Sequence, residues 1–590
     1  MNVLKNKFVK AASLSLVSLF LLQCFSVTAF ANTSAVVTVD YDVDVGPSNN
    51  VASGFLHGID DISPAQYLID GVHVKTIRGA DSYNYLPSLF DLTTYNRVKA
   101  TGADIMVGLY YRARAINLWP VDAATEAQWE GIIEDIYNEA QTKNLDIKSW
   151  ITWNEPDLQW NSAPTTFAKF ERAHEVAYKK MKALDSAALV QGPELAGYNY
   201  SKMTDFLSYC KLNDCLPDIL SWHELGSSVN DIEGHTAQIK TWMLANGITP
   251  MPIAITEYQG QSYSSSSTVT SYPGLNVLYL ARLERSVPNG LAYALHASWQ
   301  YKGTNPDFKA SLGDSANRDS SLLPKGLWWV YNGYKDMTGR LVETVSSNNH
   351  SDAIASFDSD MGRSVILLGT PNTSTPHDPV VQLNHIPAEL KYGNKTHIKA
   401  EKIVDANILM APEVVIDADY TVVSDSVTLN LATQDPKAAY RIYITSATDD
   451  APKTSYEAEN LTATATSGVT LRTFTEASAS GGVALSLDAT ATDQSVTITM
   501  NVPAAGTYQL GAILKKAPDR GFFQLYMDGV AYGSPKDGYS GSYTYFSTDF
   551  GAIKFDTAGN HDFEFRTVGK NNSSSSYRVV IDKLELTEMN

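Results

Sequence analysis

The stretch that decides the fold is SWITWNEPDLQW, residues 149–160, in which an apolar run ends in Asn154-Glu155-Pro156. A carboxylate at the exit of a buried strand costs free energy unless it is solvated or used. One possible use is general acid catalysis, which needs a second carboxylate from elsewhere in the chain. The motif therefore predicts a core strand that ends at a reactive site.

Seven other short apolar runs share this strand-like pattern. The eight runs lie at residues 54–59, 74–79, 104–111, 147–155, 188–194, 219–224, 252–257 and 291–299. Amphipathic stretches separate them, such as 125–144 and 166–184, where apolar or small residues recur at helical spacing. Eight strands alternating with helices predict the α/β class, and a (β/α)8 TIM barrel rather than a doubly wound sheet.

The pattern changes after the last predicted barrel helix. Residues 341–448 alternate apolar and polar positions without a long helix, which predicts a β-sandwich. Residues 35–45 also alternate and could return as a strand of that sandwich. A polar linker at 449–455 leads to a second predicted β-sandwich at 456–590. The catalytic barrel then covers residues 32–340, so the chain reads as a TIM barrel followed by two β-sandwich domains.

Residues 1–31 have the form of a secretory signal peptide. Three lysines precede an apolar stretch that ends in Ala29-Phe30-Ala31, a typical cleavage site. A lipoprotein signal ending at Cys24 is a weaker alternative, because Gln23 fits poorly before the cysteine. We therefore expect cleavage near Ala31 and a secreted protein, extracellular or periplasmic.

Charge and cysteine content agree with secretion. The chain has a net charge of −19, and loss of the three leader lysines takes it to −22. This acidity argues against nucleic acid or an anionic membrane as a partner. Cys210 and Cys215 could form a short-loop disulfide in an oxidising compartment, and as metal ligands they would make half a site at most. The oligomeric state is left open.

The second carboxylate that Glu155 needs is predicted at Glu257. It ends the apolar run PIAITE, the seventh of the eight runs. In a TIM barrel the carboxyl ends of the strands meet on one face, where active sites lie. Two carboxyl groups across the barrel mouth are the minimum apparatus for splitting a glycosidic bond, and their separation decides between retention and inversion. Sequence alone does not provide that separation.

Asn-Glu-Pro after strand four and Thr-Glu after strand seven resemble the retaining glycoside hydrolases of clan A. GFLHGI and WNEPD look most like glycoside hydrolase family 39, or a neighbouring barrel-plus-sandwich family such as the agarases and porphyranases. The resemblance covers about residues 35–448. It implies that Glu155 is the acid/base, Glu257 the nucleophile, and Asn154 a ligand of the substrate 2-hydroxyl.

Four more residues near predicted strand ends are candidates for substrate binding: Arg78, His223, Trp299 and His57. Each has a structural alternative. Arg78 could form a rim salt bridge rather than hold Glu257 ionised, and His223 or Trp299 could belong to the core. Glu194 and Glu224 also lie near strand ends and are reserve carboxylates.

The C-terminal unit begins YEAENLTATA and ends YRVVIDKLEL, which is similar to carbohydrate-binding modules of families 6 and 35. The resemblance implies a structural calcium held by Glu457, Glu459 and Asp582, although these acids could instead lie on exposed strand faces. Aromatic and amide side chains in its loops could bind sugar: Tyr543, Tyr545, Tyr577, Asn571 and Asn572. Catalysis with two carboxylates needs no cofactor.

Together these patterns predict a secreted retaining glycoside hydrolase that cleaves β-glycosidic bonds of a plant or algal polysaccharide, either xylan-type or a marine galactan such as agar or porphyran. The alternative is a non-catalytic polysaccharide-binding or adhesion protein on a glycosidase scaffold. A secreted protease is disfavoured, because no HExxH, GxSxG or Cys/His signature is present.

Overall fold

A closed barrel of eight parallel strands organises the N-terminal half of the chain. The computed structural model describes residues 35–82, 86–260, 272–286, 295–298, 324–347, 351–369, 378–405, 411–431, 435, 437–448 and 451–589. The barrel strands are β2 Gly54–Leu56, β3 Thr76–Ala80, β4 Asp104–Gly108, β5 Ser149–Ile151, β6 Val190–Leu195, β7 Ile219–Gly226, β8 Ile253–Gly260 and β9 Leu295–Ser298. Strand β2 pairs with β9 and closes the ring. Each of the eight predicted runs overlaps one of these strands, and the α/β class is confirmed.

Helices follow the barrel strands and cover the outside. Their bounds are α1 Gln66–Asp70, α2 Leu92–Lys99, α3 Tyr110–Ala115, α4 Ala123–Thr142, α5 Pro156–Gln159, α6 Phe167–Leu184, α7 Tyr200–Leu212, α8 Ile232–Ala245, α9 Pro273–Arg285 and α10 Gly326–Tyr334. The two stretches predicted as helices from their periodicity correspond to α4 and α6.

Helix α4 shows how the sequence sets a boundary and a buried face. Asp122 caps its N-terminus by accepting a hydrogen bond from the Thr125 amide, and the Thr125 side chain bonds back to complete a capping box. Trp129 on the buried face donates to the carbonyl of Ala173 on α6 at 3.2 Å. A cap and an anchored indole thus fix α4 against its neighbour.

The first β unit after the barrel is one nine-stranded sheet. Its order is β15-β14-β17-β12-β11-β10-β1-β13-β16. The bounds are β1 Val36–Pro47, β10 Arg340–Ser346, β11 Asp352–Asp358, β12 Arg363–Gly369, β13 Val380–Asn384, β14 Lys395–Ile403, β15 Glu413–Thr421, β16 Val427–Asn430 and β17 Ala439–Ser446. Leu429 near one end and Ile398 near the other pack in the same core, so the sheet curls around it. Strand β1 pairs with β10 and β13, which places the N-terminal strand in this unit.

Two further antiparallel sheets build the C-terminal unit. One contains β18 Lys453–Glu457, β20 Leu471–Thr475, β21 Val483–Leu487, β23 Gly506–Lys516, β26 Thr544–Phe555 and β28 Val579–Glu588. The other contains β19 Thr462–Ala465, β22 Ser495–Val502, β24 Gly521–Met527, β25 Val530–Asp537 and β27 Gly559–Lys570. Buried residues of both sheets share one core. The unit also contacts the nine-stranded sheet, where Lys554 lies 3.4 Å from Asp360.

Cys210 and Cys215 are two buried free thiols, so the disulfide considered from the sequence is not formed. Within the described residues, no helix combines the length and the apolar content that crossing a bilayer requires. The predicted signal peptide and Trp299 lie outside the described residues. The proposed domain boundaries stay predictions.

Candidate active site

The candidate site lies at the carboxyl ends of the barrel strands, where the βα loops begin. Glu155 follows β5, His223 lies on β7 and Glu257 on β8. The possible ligand atoms of these three residues lie within 4.8 Å of one another. A carboxyl separation near 5–5.5 Å is the retaining geometry, whereas inversion needs roughly 6.5–9.5 Å. The closeness of Glu155 and Glu257 therefore favours retention.

Irregular backbone aims the side chains at this mouth. Glu155 and Glu194 have φ values of 47° and 66°, in the left-handed region that side-chain-bearing residues rarely adopt. The register between β6 and β7 shifts at Glu194, and the Glu155 amide donates to the Glu194 carbonyl at 2.9 Å. Bulges and left-handed residues commonly re-aim side chains beside active sites. The two unusual residues thus support one another's position.

Arg78 on β3 is the central cation. Its Nη1 lies 2.6 Å from Glu257 Oε1, and its Nη2 lies 3.3 Å from Glu194 Oε1 and donates to Asn154 Oδ1 at 2.5 Å. The guanidinium is 1% exposed, so these contacts act in a low-dielectric setting. Arg78 therefore orients the candidate nucleophile and the amide of the Asn-Glu-Pro motif together, which a rim salt bridge would not do.

His223 lies among three carboxylates and is fully buried. Its Nδ1 is 3.5 Å from Glu155 Oε1, and its Nε2 is 3.6 Å from Glu257 and 3.9 Å from Glu194. Burial lowers the pKa of this ring, but the charge of Glu257 and hydrogen bonding to Glu155 and Glu194 outweigh it and raise the pKa to about 10. The ring is thus an imidazolium at neutral pH, not an ordinary core histidine.

The two cations lower the pKa values of Glu155 and Glu194. Burial raises the pKa of Glu155, yet hydrogen bonding to His223 and its charge bring the pKa below the ordinary value. Burial also raises the pKa of Glu194, but the charge of Arg78 and the contact with His223 hold it at about 2. Both groups are therefore ionised at neutral pH, and the His223 ring lies 3.5 Å from Glu155 as a source of a proton.

Two tyrosines and His57 line the wall beside Arg78. Arg78 Nη2 donates to the Tyr110 hydroxyl at 3.4 Å, and Tyr111 bonds to His57 at 3.2 Å. Burial and the charge of Arg78 lower the pKa of His57 to about 3, so its ring is neutral. Neutral hydrogen-bonding groups of this kind suit the hydroxyls of a sugar ring. The tyrosines were not predicted, although they end the run 104–111.

Glu194 is the most important residue that was named only as a reserve. Its position at the end of the run 188–194 was the available signal, and the bulge that turns it into the site is not visible in sequence. Glu224, the other reserve carboxylate, points elsewhere: it accepts from Trp222 Nε1 at 2.6 Å and contacts His235 at 2.9 Å.

The spacing of Glu155, His223 and Glu257 is also compatible with a metal ion. The guanidinium of Arg78 already bonds the Glu257 oxygen that faces the ring. A divalent cation bound there would lie against that positive charge, which opposes its binding. The arrangement therefore fits a charge network better than a metal centre.

The three acids of the C-terminal unit converge at Gly481. A Cβ at that position would lie 3.5 Å from Glu459 Oε1 and 3.9 Å from Glu457 Oε2. Asp582 accepts from the Ser480 amide at 3.0 Å. Burial and the neighbouring Glu457 carboxylate raise the pKa values of Glu459 and Asp582. Glu457 Oε2 and Glu459 Oε2 are buried without a hydrogen-bond partner, so hard oxygen ligands suited to calcium are gathered here.

Residues 122–282 match the glycosyl hydrolase catalytic core family. A 3-O-α-D-galactosyl-α-L-arabinofuranosidase of Bifidobacterium longum subsp. longum is 25% identical over 414 residues, which is 59% of this chain and 35% of that enzyme. The chain thus spans about a third of that relative's length.

Solved structures share the fold. N2152 from Neocallimastix frontalis has a TM-score of 0.60 at 23% identity, covering 70% of this chain and 100% of that one. A family 39 glycoside hydrolase from Xanthomonas axonopodis pv. citri has a TM-score of 0.50 at 15% identity, covering 70% and 97%. Residues 122–282 therefore match a glycoside hydrolase catalytic core, and the barrel shares its fold with solved glycoside hydrolases, one of them of family 39.

Proposed function

We propose that this glycoside hydrolase is a secreted, retaining enzyme that releases α-L-arabinofuranosyl or β-D-xylosyl units from a plant polysaccharide. The observation that carries the proposal is that one carboxylate oxygen of Glu155 and one of Glu257 lie within 4.8 Å of each other at the barrel mouth. That spacing suits a nucleophile and an acid/base acting from opposite sides of one glycosidic bond.

In the first step, a proton on Glu155 passes to the glycosidic oxygen while a Glu257 oxygen attacks the anomeric carbon. The bond to the leaving sugar breaks and a glycosyl-enzyme ester forms. Glu155 is ionised at neutral pH, so a proton must reach it first, and His223 Nδ1 lies 3.5 Å from its carboxylate. In the second step Glu155 takes a proton from water, which attacks the anomeric carbon and frees Glu257.

The other site residues hold the substrate and the charge in place. Arg78 donates to Glu257 and fixes the orientation of the attacking carboxylate. Asn154, oriented by the same guanidinium, is placed to meet the 2-hydroxyl of the sugar. Hydrogen bonds to that hydroxyl strengthen in the transition state and lower the barrier.

The sugar class is supported by the relatives. The Bifidobacterium enzyme is named as acting at α-L-arabinofuranosyl residues. α-L-Arabinosides and β-D-xylosides have the same absolute configuration at the anomeric carbon, so one arrangement of two carboxylates can attack either. Of the two substrate classes expected from the sequence, xylan-type and marine galactan, these two arguments favour the plant glycans.

We further propose that the two β units are sandwich domains and that the C-terminal one is a calcium-stabilised carbohydrate-binding module. The shared core of its two sheets and the acids gathered at Gly481 support this. Tyr543 is 70% exposed there, as a sugar-stacking ring must be. The leader-like residues 1–31 support secretion.

The test uses purified protein on aryl α-L-arabinofuranoside and β-D-xyloside, with arabinogalactan, xylan, agar and porphyran as polymers. We expect hydrolysis of at least one aryl glycoside, with the first product retaining its anomeric configuration by NMR. Glu257→Gln should abolish turnover, because an amide is a poor nucleophile. Glu224→Gln, a buried carboxylate outside the site, is the matched control.

Inverted product or full activity of the Glu257→Gln variant would reject the mechanism. Activity confined to agar or porphyran would reject the plant substrate class. Binding of polymers without any hydrolysis would support the non-catalytic alternative.

A further inference from the structure

A third carboxylate, Glu194, lies beneath the two catalytic ones and has no role in the mechanism above. It is fully buried. Its Oε1 lies 3.3 Å from Arg78 and 3.9 Å from His223, and its Oε2 accepts from Gln191 at 3.4 Å. Burying a carboxylate costs free energy unless nearby cations offset its lost hydration. Glu194 is held by the same two cations that contact Glu155 and Glu257.

The charges of the cluster show what Glu194 contributes. Two cations, Arg78 and His223, contact Glu194 and also contact the catalytic pair. Without Glu194, the two cations would face only Glu155 and Glu257. Their field would then stabilise the ionised forms of both catalytic carboxylates more strongly. The acid/base would release its proton at lower pH, and the nucleophile would attack less readily.

Glu194 also shapes the backbone of the site. It occupies the bulge between β6 and β7, and its carbonyl accepts the amide hydrogen of Glu155. The groups facing its side chain come from several elements of the barrel. They are Arg78, Tyr110, Gln191, Ser221 and His223.

We infer that Glu194 is a positioning residue of the reaction: it anchors the Arg78 guanidinium and the His223 ring beneath the catalytic pair and supplies the negative charge that balances them. This inference rests on the proposed function. It concerns a residue that touches the substrate-facing groups rather than the substrate.

The direct test is Glu194→Gln, which keeps the shape and a hydrogen-bond acceptor but removes the charge. We expect kcat on an aryl glycoside to fall at least about tenfold, with KM little changed. Both limbs of the pH profile of kcat/KM should move to lower pH by about one unit. Glu194→Asp, which restores the charge, should return the limbs towards the wild-type positions. Glu224→Gln should leave both limbs in place.

A second measurement needs no substrate. Ring signals of ¹³C-labelled histidine in the full chain, assigned with His223→Asn, should show a protonated His223 ring at pH 8. In Glu194→Gln the ring should lose its proton at lower pH. This arm keeps the inference testable if the wild type hydrolyses none of the glycosides, which would overturn the proposed function alone.

Two results would overturn the inference. One is a Glu194→Gln pH profile that superimposes on that of an active wild type. The other is a His223 ring in the wild type that titrates near the ordinary value of 6.5.

Discussion

Replacing Arg78 by Met should destabilise the barrel by an amount that depends on pH. Methionine preserves much of the apolar volume but removes the charge shared by Glu257 and Glu194. Removing one partner of a buried ion pair leaves an uncompensated charge and typically costs about 3–5 kcal/mol. The loss should therefore be large at neutral pH and smaller in acid, where Glu194 can be neutralised by a proton.

The expected loss of unfolding free energy can be worked out from the pKa of Glu194. Despite burial, which acts in the opposite direction, Arg78 and His223 hold its pKa at about 2, against an ordinary 4.5. A pKa lowered in the folded state contributes stability above the unfolded value, and that stability is lost as pH falls through the folded value. The lowered pKa of Glu194 therefore contributes about 3 kcal/mol to the unfolding free energy at pH 7 and about 2 kcal/mol at pH 3.5. Loss of Arg78 should remove most of this contribution, and the remaining contact with His223 should preserve the rest.

Urea unfolding followed by tryptophan fluorescence isolates the barrel, because all ten tryptophans lie between residues 119 and 329. Unfolding free energies of the Arg78→Met variant and the wild type are compared at pH 7 and pH 3.5. Lys180→Met is the control, since Lys180 pairs with Glu134 on the barrel exterior at 2.8 Å and should change stability by less than about 1 kcal/mol. An Arg78→Met loss below about 1 kcal/mol at pH 7, or one that grows on acidification, would refute the reasoning.

Two other predictions concern the acid/base and the metal. Glu155→Ala should slow substrates with poor leaving groups far more than activated aryl glycosides, with azide restoring part of the turnover; equal losses on both classes would remove Glu155 from that role. Calcium should raise the melting temperature of the C-terminal unit in the full chain, by calorimetry, and EDTA should lower it without changing turnover of a small glycoside. The calcium effect should weaken as pH falls, because Glu459 and Asp582 have raised pKa values and protonation competes with the metal. A Glu457→Gln variant with an unchanged calcium response would show that these acids are not the ligands.

Local patterns were enough to predict the barrel and its two candidate catalytic carboxylates. Apolar runs of strand length, separated by amphipathic helices such as 125–144, have few other ways to bury their surface. Once the strands are counted, chain geometry places Glu155 and Glu257 on the same face, because the carboxyl ends of parallel strands meet there. The spacing of the apolar runs along the chain therefore predicts that these two carboxylates lie on one face.

The first β unit after the barrel shows a limit of that reasoning. Alternation in 341–448 indicates strands but not how they order, because pairing partners lie far apart in sequence. Only the tertiary structure shows a single curled sheet of nine strands, with the N-terminal strand β1 between β10 and β13.

The amino-acid sequence by itself predicted the barrel, the face that carries the candidate site and the Glu155–Glu257 pair, since these follow from periodicity and strand ends. The tertiary structure decided the separation of that pair, the protonated state of His223 and the place of Glu194. These depend on distances of 3–4 Å between side chains from five different strand ends. Burial and charge at such distances arise only when the strands have closed into a barrel, so no single segment encodes them.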